Sequence, residues 1–267
     1  MKQQVESETL QRFRQDVAAA AGVAVAATRV FSDDYLSAVI RVPGRELSYA
    51  ADKMAKCLQW RISYGVDTLR LDTVRAHIAN GSMYWHGYDW QRRPILWVRP
   101  RLKDWAAMAQ TRDNEVRAHV YLLELAFREF MPPRECAVTV VADAAGLGTR
   151  ETDVWLMQGL VTTCVANYPD RIAKLCVGPV NSAVKTISSL VMPLLPPRLR
   201  EKVEFLSDPT KELPRLLPEE LIPDYMGGRA AHDLRGDSGN DAALLDVEVM
   251  IQQQKQKLAE LVAMEAR

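Results

Sequence analysis

Apolar residues at helical spacing, set between short continuous apolar runs, indicate how the chain is organised. The clearest helical stripe follows Asn181, where apolar residues recur at intervals of three and four: Val184, Ile187, Val191 and Leu194. Asn181 or Ser182 can cap this helix. An apolar run at residues 175–180 precedes this stripe and predicts a buried strand, while Pro193 and the pair Pro196-Pro197 end the helix. A second run at 203–206 returns the chain to a sheet. This βαβ pattern fits a helix that covers a sheet, or a movable helix that closes an apolar cavity.

The other segments repeat the alternation of strand and helix. Residues 83–98 predict a hairpin, 104–131 a long amphipathic helix, 136–142 (CAVTVVA) a strand covered on both faces, and 152–167 the next helix. A strand, a helix and a strand of these lengths imply parallel pairing. The predicted fold class is α/β with a mixed or parallel sheet. Its predicted parts are a small all-helical region at 1–80, a main domain at 81–229, a linker at 230–240 and an amphipathic helix at 241–267.

The last predicted helix carries apolar residues at heptad positions. These positions are Leu244, Val247, Ile251, Leu258 and Leu261, and Gln254 occupies a d position. A seam of this kind over residues 244–261 can pair with a partner or with a second copy of the chain, or it can dock on its own domain. Fewer than three full heptads are short for a coiled coil, and the pattern leaves these alternatives open.

Charge and cysteine usage narrow the class of protein. Basic and acidic residues are equal at 34 each, which does not predict binding to nucleic acid. The four cysteines (Cys57, Cys136, Cys164 and Cys176) form no C-x-x-C pair and lie mostly in apolar runs, as expected of free thiols in a reducing compartment. The apolar segment at 17–27 is too short to span a bilayer. We therefore expect a cytoplasmic protein.

The sequence contains little that predicts catalysis. Its four histidines lack the spacing of metal ligands, and no G-x-S-x-G motif is present. Asp143 with Gly146 and Gly148 matches half of a dinucleotide fingerprint, but Glu151 occupies the position of the third glycine. We therefore expect no enzyme activity, no metal and no cofactor, and an α/β enzyme is the least favoured alternative.

A run of cations lies among tryptophans between residues 85 and 105. It comprises Arg92, Arg93, Arg99, Arg101 and Lys103. Aromatic residues among cations are typical of surfaces that bind single-stranded nucleic acid or anionic membranes. We expect membrane contact here, with a solvated rim over a tryptophan core as the alternative.

Residues 33–229 contain a series of motifs, and their order and spacing resemble those of the CRAL-TRIO lipid-binding family. The matching segments are 58–61 (LQWR), 64–68 (YGVDT), 93–96 (RPIL), Asp143 with Gly146, 167–171 (NYPDR), 174–175 (KL), 192–195 (MPLL), 200–203 (REKV), 221–223 (LIP) and 225–228 (YMGG). The family includes phosphatidylinositol/phosphatidylcholine transfer proteins and retinaldehyde- and tocopherol-binding proteins.

The resemblance implies one lipid, or another hydrophobic small molecule, held as cargo inside the α/β fold behind a gate helix at about 182–195. The gate residues are Val184, Ile187, Leu190, Val191 and Leu194. The function that it implies is lipid binding and transfer by a cytoplasmic protein that docks transiently on membranes as a peripheral protein. A lipid-responsive scaffold without transfer activity is the alternative.

The resemblance also indicates the ligand site. The matching positions are Trp85, Leu96, Val98, Val138, Val140, Asp170, Leu199 and Lys202. Phosphatidylcholine binders of the family carry hydroxyl side chains where this chain has Val138 and Val140, and a tyrosine where it has Leu96. Asp170 stands where phosphatidylinositol binders carry glutamate, and Leu199 where they carry threonine. We expect a more apolar pocket, suited to a sterol, a prenoid or another weakly polar lipid, unless the two valines only face a covering helix. Asp170 and Lys202 can also form an ordinary surface ion pair.

Overall fold

The computed structural model describes residues 2–148, 153–230 and 245–265, with side chains from residue 7 onward. The chain divides into two compact units, Met1–Leu69 with Arg134–Cys136, and Arg70–Pro133 with Ala137–Arg267. The predicted linker lies outside the described residues except for Ala230, and so does Leu244.

The first unit is helical. Its helices are α1 (Lys2–Ala21), α2 (Asp33–Ile40) and α3 (Leu47–Tyr64). Phe13 and Val17 of α1 pack in one buried cluster with Leu36 of α2 and with Met54 and Leu58 of α3. Helix α3 ends at Gly65, whose φ of 73° is the left-handed conformation that glycine adopts without strain.

The next helix, α4 (Leu71–Ile78), groups with the second unit because Val74 and Ile78 are buried in the cluster that surrounds the sheet. Contacts therefore divide the chain at Leu69, whereas the sequence pattern placed the boundary near residue 80. The residue before this helix is Arg70, and no side chain caps it.

A five-stranded mixed sheet forms the centre of the second unit and confirms the predicted α/β class. Its strands, in spatial order, are β1 (Met83–Tyr88), β2 (Pro94–Val98), β3 (Val138–Asp143), β4 (Ile172–Gly178) and β5 (Val203–Phe205). The first two form the predicted antiparallel hairpin, and the remaining pairs are parallel.

Helices connect and flank the strands. They are α5 (Trp105–Met108), α6 (Arg112–Leu125), α7 (Val154–Leu160), α8 (Ser182–Val191), α9 (Pro197–Arg200), α10 (Pro209–Glu212) and α11 (Val247–Glu265). Helices α6 and α7 each continue as a wider π-helical turn, Ala126–Phe130 and Val161–Val165. Single 3-10 turns at Met192–Leu194, Leu213–Arg215, Glu219–Leu221 and Asp224–Met226 complete this part of the chain. Among the described residues, no helix has the length and apolar character that crossing a bilayer requires.

The two faces of the sheet differ in burial. Side chains alternate along each strand, so the register assigns every residue to one face. On the closed face Tyr84, Ile95, Trp97, Thr139, Val141 and Cys176 are buried. Its partly exposed members include Lys174 and Glu204, which form an ion pair between β4 and β5. The open face includes Trp85, Leu96, Val98, Val140, Ala142, Leu175, Val177, Val203 and Phe205. The partly uncovered side chains of the open face are apolar, whereas those of the closed face include this charged pair.

Candidate functional site

One row of the open face becomes more exposed from strand to strand. The register aligns Trp85, Leu96, Val140, Leu175 and Val203 across all five strands. The exposed fraction is 1% at Trp85, 4% at Leu96 and 8% at Val140, and the last two residues of the row are only partly buried. The row is therefore sealed at β1 and uncovered at β4 and β5.

Helix α6 and its π-helical extension seal the β1 end. The indole Nε1–H of Trp85 donates to the carbonyl oxygen of Leu122 at 3.0 Å, and its ring lies edge-on to Phe130 with 6.2 Å between the ring centroids. Val138 is likewise completely buried. Protein atoms surround both side chains at this sealed end, and the contact of Trp85 and Val138 with a ligand stays a prediction.

A second row on the open face leads to the uncovered end. It aligns Val98, Ala142, Val177 and Phe205, all partly or substantially exposed. Together with Leu96, Val140, Leu175 and Val203 of the first row they form an apolar strip without side-chain hydrogen-bonding groups, which we call the slot. The sequence analysis placed Val98 at the ligand site but missed the contributions of β4 and β5. Strand alternation contained that signal, since Leu175 and Val177 are two residues apart and share a face.

Helix α8 corresponds to the predicted gate helix. Asn181 caps it as predicted, because its side-chain oxygen accepts a hydrogen bond from the backbone N–H of Val184 at 2.9 Å. Val184 is buried, and Ile187 and Val191 are partly buried. Leu190 and Leu194, in contrast, expose 49% and 52% of their surface. The apolar residues thus divide between an inward-facing set and two leucines that face solvent.

Helix α7 adds a second exposed apolar feature that sequence reasoning missed. Trp155 at its first turn exposes 71% of its surface, and Val154 is also exposed. Helix α7 contacts the gate helix. Isolated exposed apolar residues are common on proteins, but here a largely exposed tryptophan and two exposed leucines lie on helices or turns of one contacting helix pair.

Three predicted ligand-site residues lie near the amino end of β4. Asp170 has a φ of 60°, and Nε of Arg198 lies 3.8 Å from its Oδ1. Nζ of Lys202 donates to the carbonyl oxygen of Ile172 at 2.7 Å, and Leu199 is partly buried on α9. The structure brings these residues to one end of the sheet, and their contact with a ligand stays a prediction.

The predicted membrane-contacting cations are engaged within the protein. Arg99 is buried, donates two hydrogen bonds to the carbonyl oxygen of Gly81 and lies over the ring of Tyr84 at 4.5 Å. Lys103 is also buried. For these two residues the expectation of membrane contact is corrected, because neither cation reaches the surface.

The other three cations have acidic partners. Arg92 pairs with Glu265, Arg93 lies 3.9 Å from Asp89, and Arg101 lies 3.5 Å from Asp143. Their contact with membranes stays a prediction.

Lys103 belongs to a buried polar cluster between α4 and α6. Its Nζ donates to Oε1 of Glu115, and Nδ1 of His77 lies 3.0 Å from Oε2 of the same carboxylate. Nδ1 of His119 lies 2.9 Å from the backbone carbonyl oxygen of Glu115. Burial and the nearby Lys103 cation lower the pKa of His119 to about 4, and burial also lowers the pKa of Lys103. Burial opposes ionisation of Glu115, but the surrounding basic groups outweigh it and lower its pKa.

Asp143 links the end of β3 to a later segment of the chain through its side chain. Its buried carboxylate accepts hydrogen bonds from the hydroxyl of Tyr225 at 2.8 Å and from the backbone N–H of Ala145 at 3.0 Å. The contact joins the end of β3 to the segment at 221–228. A carboxylate already engaged in this way does not favour the dinucleotide alternative.

The sheet-containing part of the chain matches the model of a known protein family. The family model described as CRAL/TRIO domain matches residues 78–228, which is more than half of the chain. The chain belongs to the CRAL/TRIO domain family. The resemblance inferred from the sequence motifs is thereby confirmed.

Several CRAL/TRIO relatives have names that state a function. The phosphatidylinositol transfer protein CSR1 of Eremothecium gossypii is 23% identical over 81% of this chain and 52% of its own length. The phosphatidylinositol/phosphatidylcholine transfer protein SFH7 of Arabidopsis thaliana is 26% identical over 71% of this chain and 39% of its own length. This chain thus spans about half or less of these curated relatives.

A solved structure supports the CRAL/TRIO fold independently. The crystal structure of Sfh5 superposes with a TM-score of 0.60 at 16% identity, covering 87% of this chain and 83% of that chain. At this identity the likeness concerns the fold alone.

Proposed function

We propose that this protein binds one hydrophobic lipid in the slot of the open face and transfers it between membranes. The observation that carries the proposal is the graded burial of the apolar open face. A sheet face that merely supported a core would be covered along its whole length, whereas here the apolar residues of β4 and β5 remain partly uncovered. Leu96, Val98 and Val140 would form the protein side of the slot, and the inner residues of the gate helix its cover.

The proposed membrane-docking face is the outer side of the gate helix together with the first turn of α7. Leu190, Leu194 and Trp155 are exposed there. Apolar side chains that enter the interfacial region of a bilayer would hold the gate helix against the membrane while lipid leaves or enters the slot. Such a protein acts peripherally at a cytoplasmic membrane face, and the four free cysteines fit that compartment.

Transfer is expected to fall at least about tenfold when Leu190→Asp and Leu194→Asp are combined, because two carboxylates would have to enter an apolar interface. The measurement is movement of a fluorescent lipid from donor to acceptor vesicles by the purified protein. Both positions face solvent, so the folded state should tolerate the change.

The matched control for the gate variant is Ser182→Asp with Ser189→Asp. It adds two charges to the same helix at polar, exposed positions. We expect it to transfer lipid close to the rate of the parent. Equal transfer by the gate variant and the parent, with both folded by circular dichroism, would show that Leu190 and Leu194 are not the docking residues.

The chemistry of the slot favours a weakly polar cargo. Its walls at Leu96, Val98, Val140, Leu175 and Val203 contain no hydroxyl or amide group that could donate a hydrogen bond. A phosphate or ester buried there without donors costs several kcal/mol. A sterol, a prenoid or a similar lipid, with most of its surface apolar, avoids that cost.

Organic extraction of the purified protein should therefore recover a weakly polar lipid as the main ligand, identified by mass spectrometry. Phosphatidylcholine is expected well below one molecule per chain. Recovery of phosphatidylcholine near one molecule per chain would contradict the inferred cargo, although transfer of lipid as such would remain supported.

The scaffold alternative finds less support. Val247 and Gln254 of the predicted heptad seam are buried within their own chain, and so is Met250, which lies between them in sequence. Helix α11 contacts β1 instead of presenting this face to a partner. The intramolecular alternative for residues 244–261 is therefore the one that the contacts favour.

A further inference from the structure

Strand β1 lies at the edge of the sheet, and helix α11 satisfies its outward-facing backbone groups. The register between β1 and β2 breaks between Trp85 and Tyr88, and Gly87 in this bulge has a φ of 75°. The backbone N–H of Gly87 donates to Oε1 of Gln254 at 2.8 Å, and Nε2 of Gln254 donates to the carbonyl oxygen of Gly87 at 3.1 Å. The side-chain amide therefore makes both hydrogen bonds that a neighbouring strand would make.

A second contact on α11 acts one helical turn earlier. The backbone N–H of Trp85 donates to Sδ of Met250 at 3.3 Å. Met250 and Gln254 are four residues apart, which corresponds to about 6 Å along a helix. Trp85 and Gly87 are two residues apart, about 6.7 Å along a strand. The two spacings agree well enough for one helix face to hold both backbone groups.

Three ion pairs, spread along α11, connect this helix to other parts of the chain. Arg75 forms two hydrogen bonds with Glu248, at 2.7 and 2.5 Å, Lys255 pairs with Glu129 at 2.9 Å, and Arg92 pairs with Glu265. These exposed or partly exposed pairs contribute modestly to stability, but they restrict the registers that the helix can adopt. Gln254 is 1% exposed, so its amide is committed to the β1 contact.

We propose that Gln254 is a positioning residue that sets the length of the slot through Trp85. The indole of Trp85 is the closed end of the row that opens at Leu175 and Val203, and Gln254 and Met250 hold the backbone on either side of that indole. Loss of the amide contact lets the bulge relax, and the ring then withdraws from its place between Leu122 and Phe130. The slot thereby extends toward β1. This inference rests on the proposed lipid-binding function.

The test measures the alkyl-chain length of an alcohol beyond which its affinity for the protein no longer increases, which we call the limiting length. A homologous series of straight-chain alcohols competes with a fluorescent lipid for the full-length protein and for Gln254→Leu. Each methylene that finds apolar room raises affinity roughly fourfold. We expect the limiting length to increase by about two carbons in Gln254→Leu, and the longest alcohols to bind at least about fourfold more tightly than to the parent.

Two controls separate positioning from general loss of structure. Gln253→Leu makes the same substitution at an exposed position of α11 and should keep the limiting length of the parent. Trp85→Phe should lengthen the slot directly, and adding Gln254→Leu to it should produce no further increase. If Gln254→Leu does not fold, Gln254→Glu, which can still accept from Gly87, should give an intermediate limit.

The outcomes distinguish the two proposals. If the parent binds the alcohols and Gln254→Leu keeps the same limiting length, the positioning role is refuted while the lipid-binding function stands. The positioning role would also be refuted if adding Gln254→Leu to Trp85→Phe increased the limiting length as much as Gln254→Leu does alone. The effect would then not act through the indole. Failure of the folded parent to bind any member of the series overturns both.

Discussion

Replacing Lys103 by methionine is expected to lower the free energy of unfolding of the sheet-containing unit by about 3–5 kcal/mol. Lys103 is the cation whose ammonium group donates directly to the buried carboxylate of Glu115. Methionine fills similar space but removes the cation that pairs with the buried carboxylate, and an uncompensated buried charge is far more costly than the loss of a surface ion pair. Urea unfolding at neutral pH, followed by tryptophan fluorescence, measures the change.

The double variant Lys103→Met with Glu115→Gln provides the control, because removing the carboxylate relieves the uncompensated charge. It should recover a large part of the lost stability, whereas Glu115→Gln alone should destabilise by leaving the ammonium group unpaired. A Lys103→Met protein as stable as the parent would mean that the carboxylate finds other compensation and that the pair has little structural importance.

Acidification is expected to destabilise the protein through His119 between about pH 6.5 and pH 4. Its folded-state pKa of about 4 lies below the ordinary value of 6.5, because burial and Lys103 oppose its protonation. The unfolded chain therefore binds a proton in this window that the folded chain does not, and stability falls as the pH falls. The stability that neutral His119 contributes is present in full above pH 6.5. At pH 4.5 about 2.5 kcal/mol of the free energy of unfolding has been lost.

The measurement compares the parent with His119→Gln, since other groups also titrate in this range. Glutamine can still donate toward the carbonyl oxygen of Glu115 but does not titrate. The difference in unfolding free energy between the two proteins should shift in favour of the variant by about 2.5 kcal/mol between pH 7 and pH 4.5. A difference independent of pH would show that His119 is solvated enough to titrate normally.

The parts of this fold that could be predicted from sequence are those governed by neighbouring residues. The gate helix begins at its predicted cap because Asn181 bonds a backbone group three residues away. The hairpin of β1 and β2 and the run at 136–142 follow from alternation and apolar content over a few residues. Family motifs added the family and its fold, and the location of the ligand site that they indicate stays a prediction.

The parts that could not be predicted depend on which elements cover which side chains. Trp85 and Leu175 share a row, but only the docking of α6 makes the first a core residue while the second stays partly uncovered. Arg99 and Lys103 resemble surface cations in sequence, and their burial follows from partners in separate turns and helices. Gln254 looked like a flaw in a heptad seam, whereas the fold uses its amide to close a sheet edge.

The dependence of β1 on α11 has a consequence for synthesis. Gln254 follows Gly87 by 167 residues, so the backbone groups that it satisfies emerge long before it does. At ordinary rates of translation the interval is roughly 8–30 s. During that time the nascent chain carries an open strand edge able to pair with other chains, which is a recognised route to misassembly. Ribosome-bound chains that stop short of α11 are accordingly the species in which we expect chaperone dependence and aggregation to be greatest.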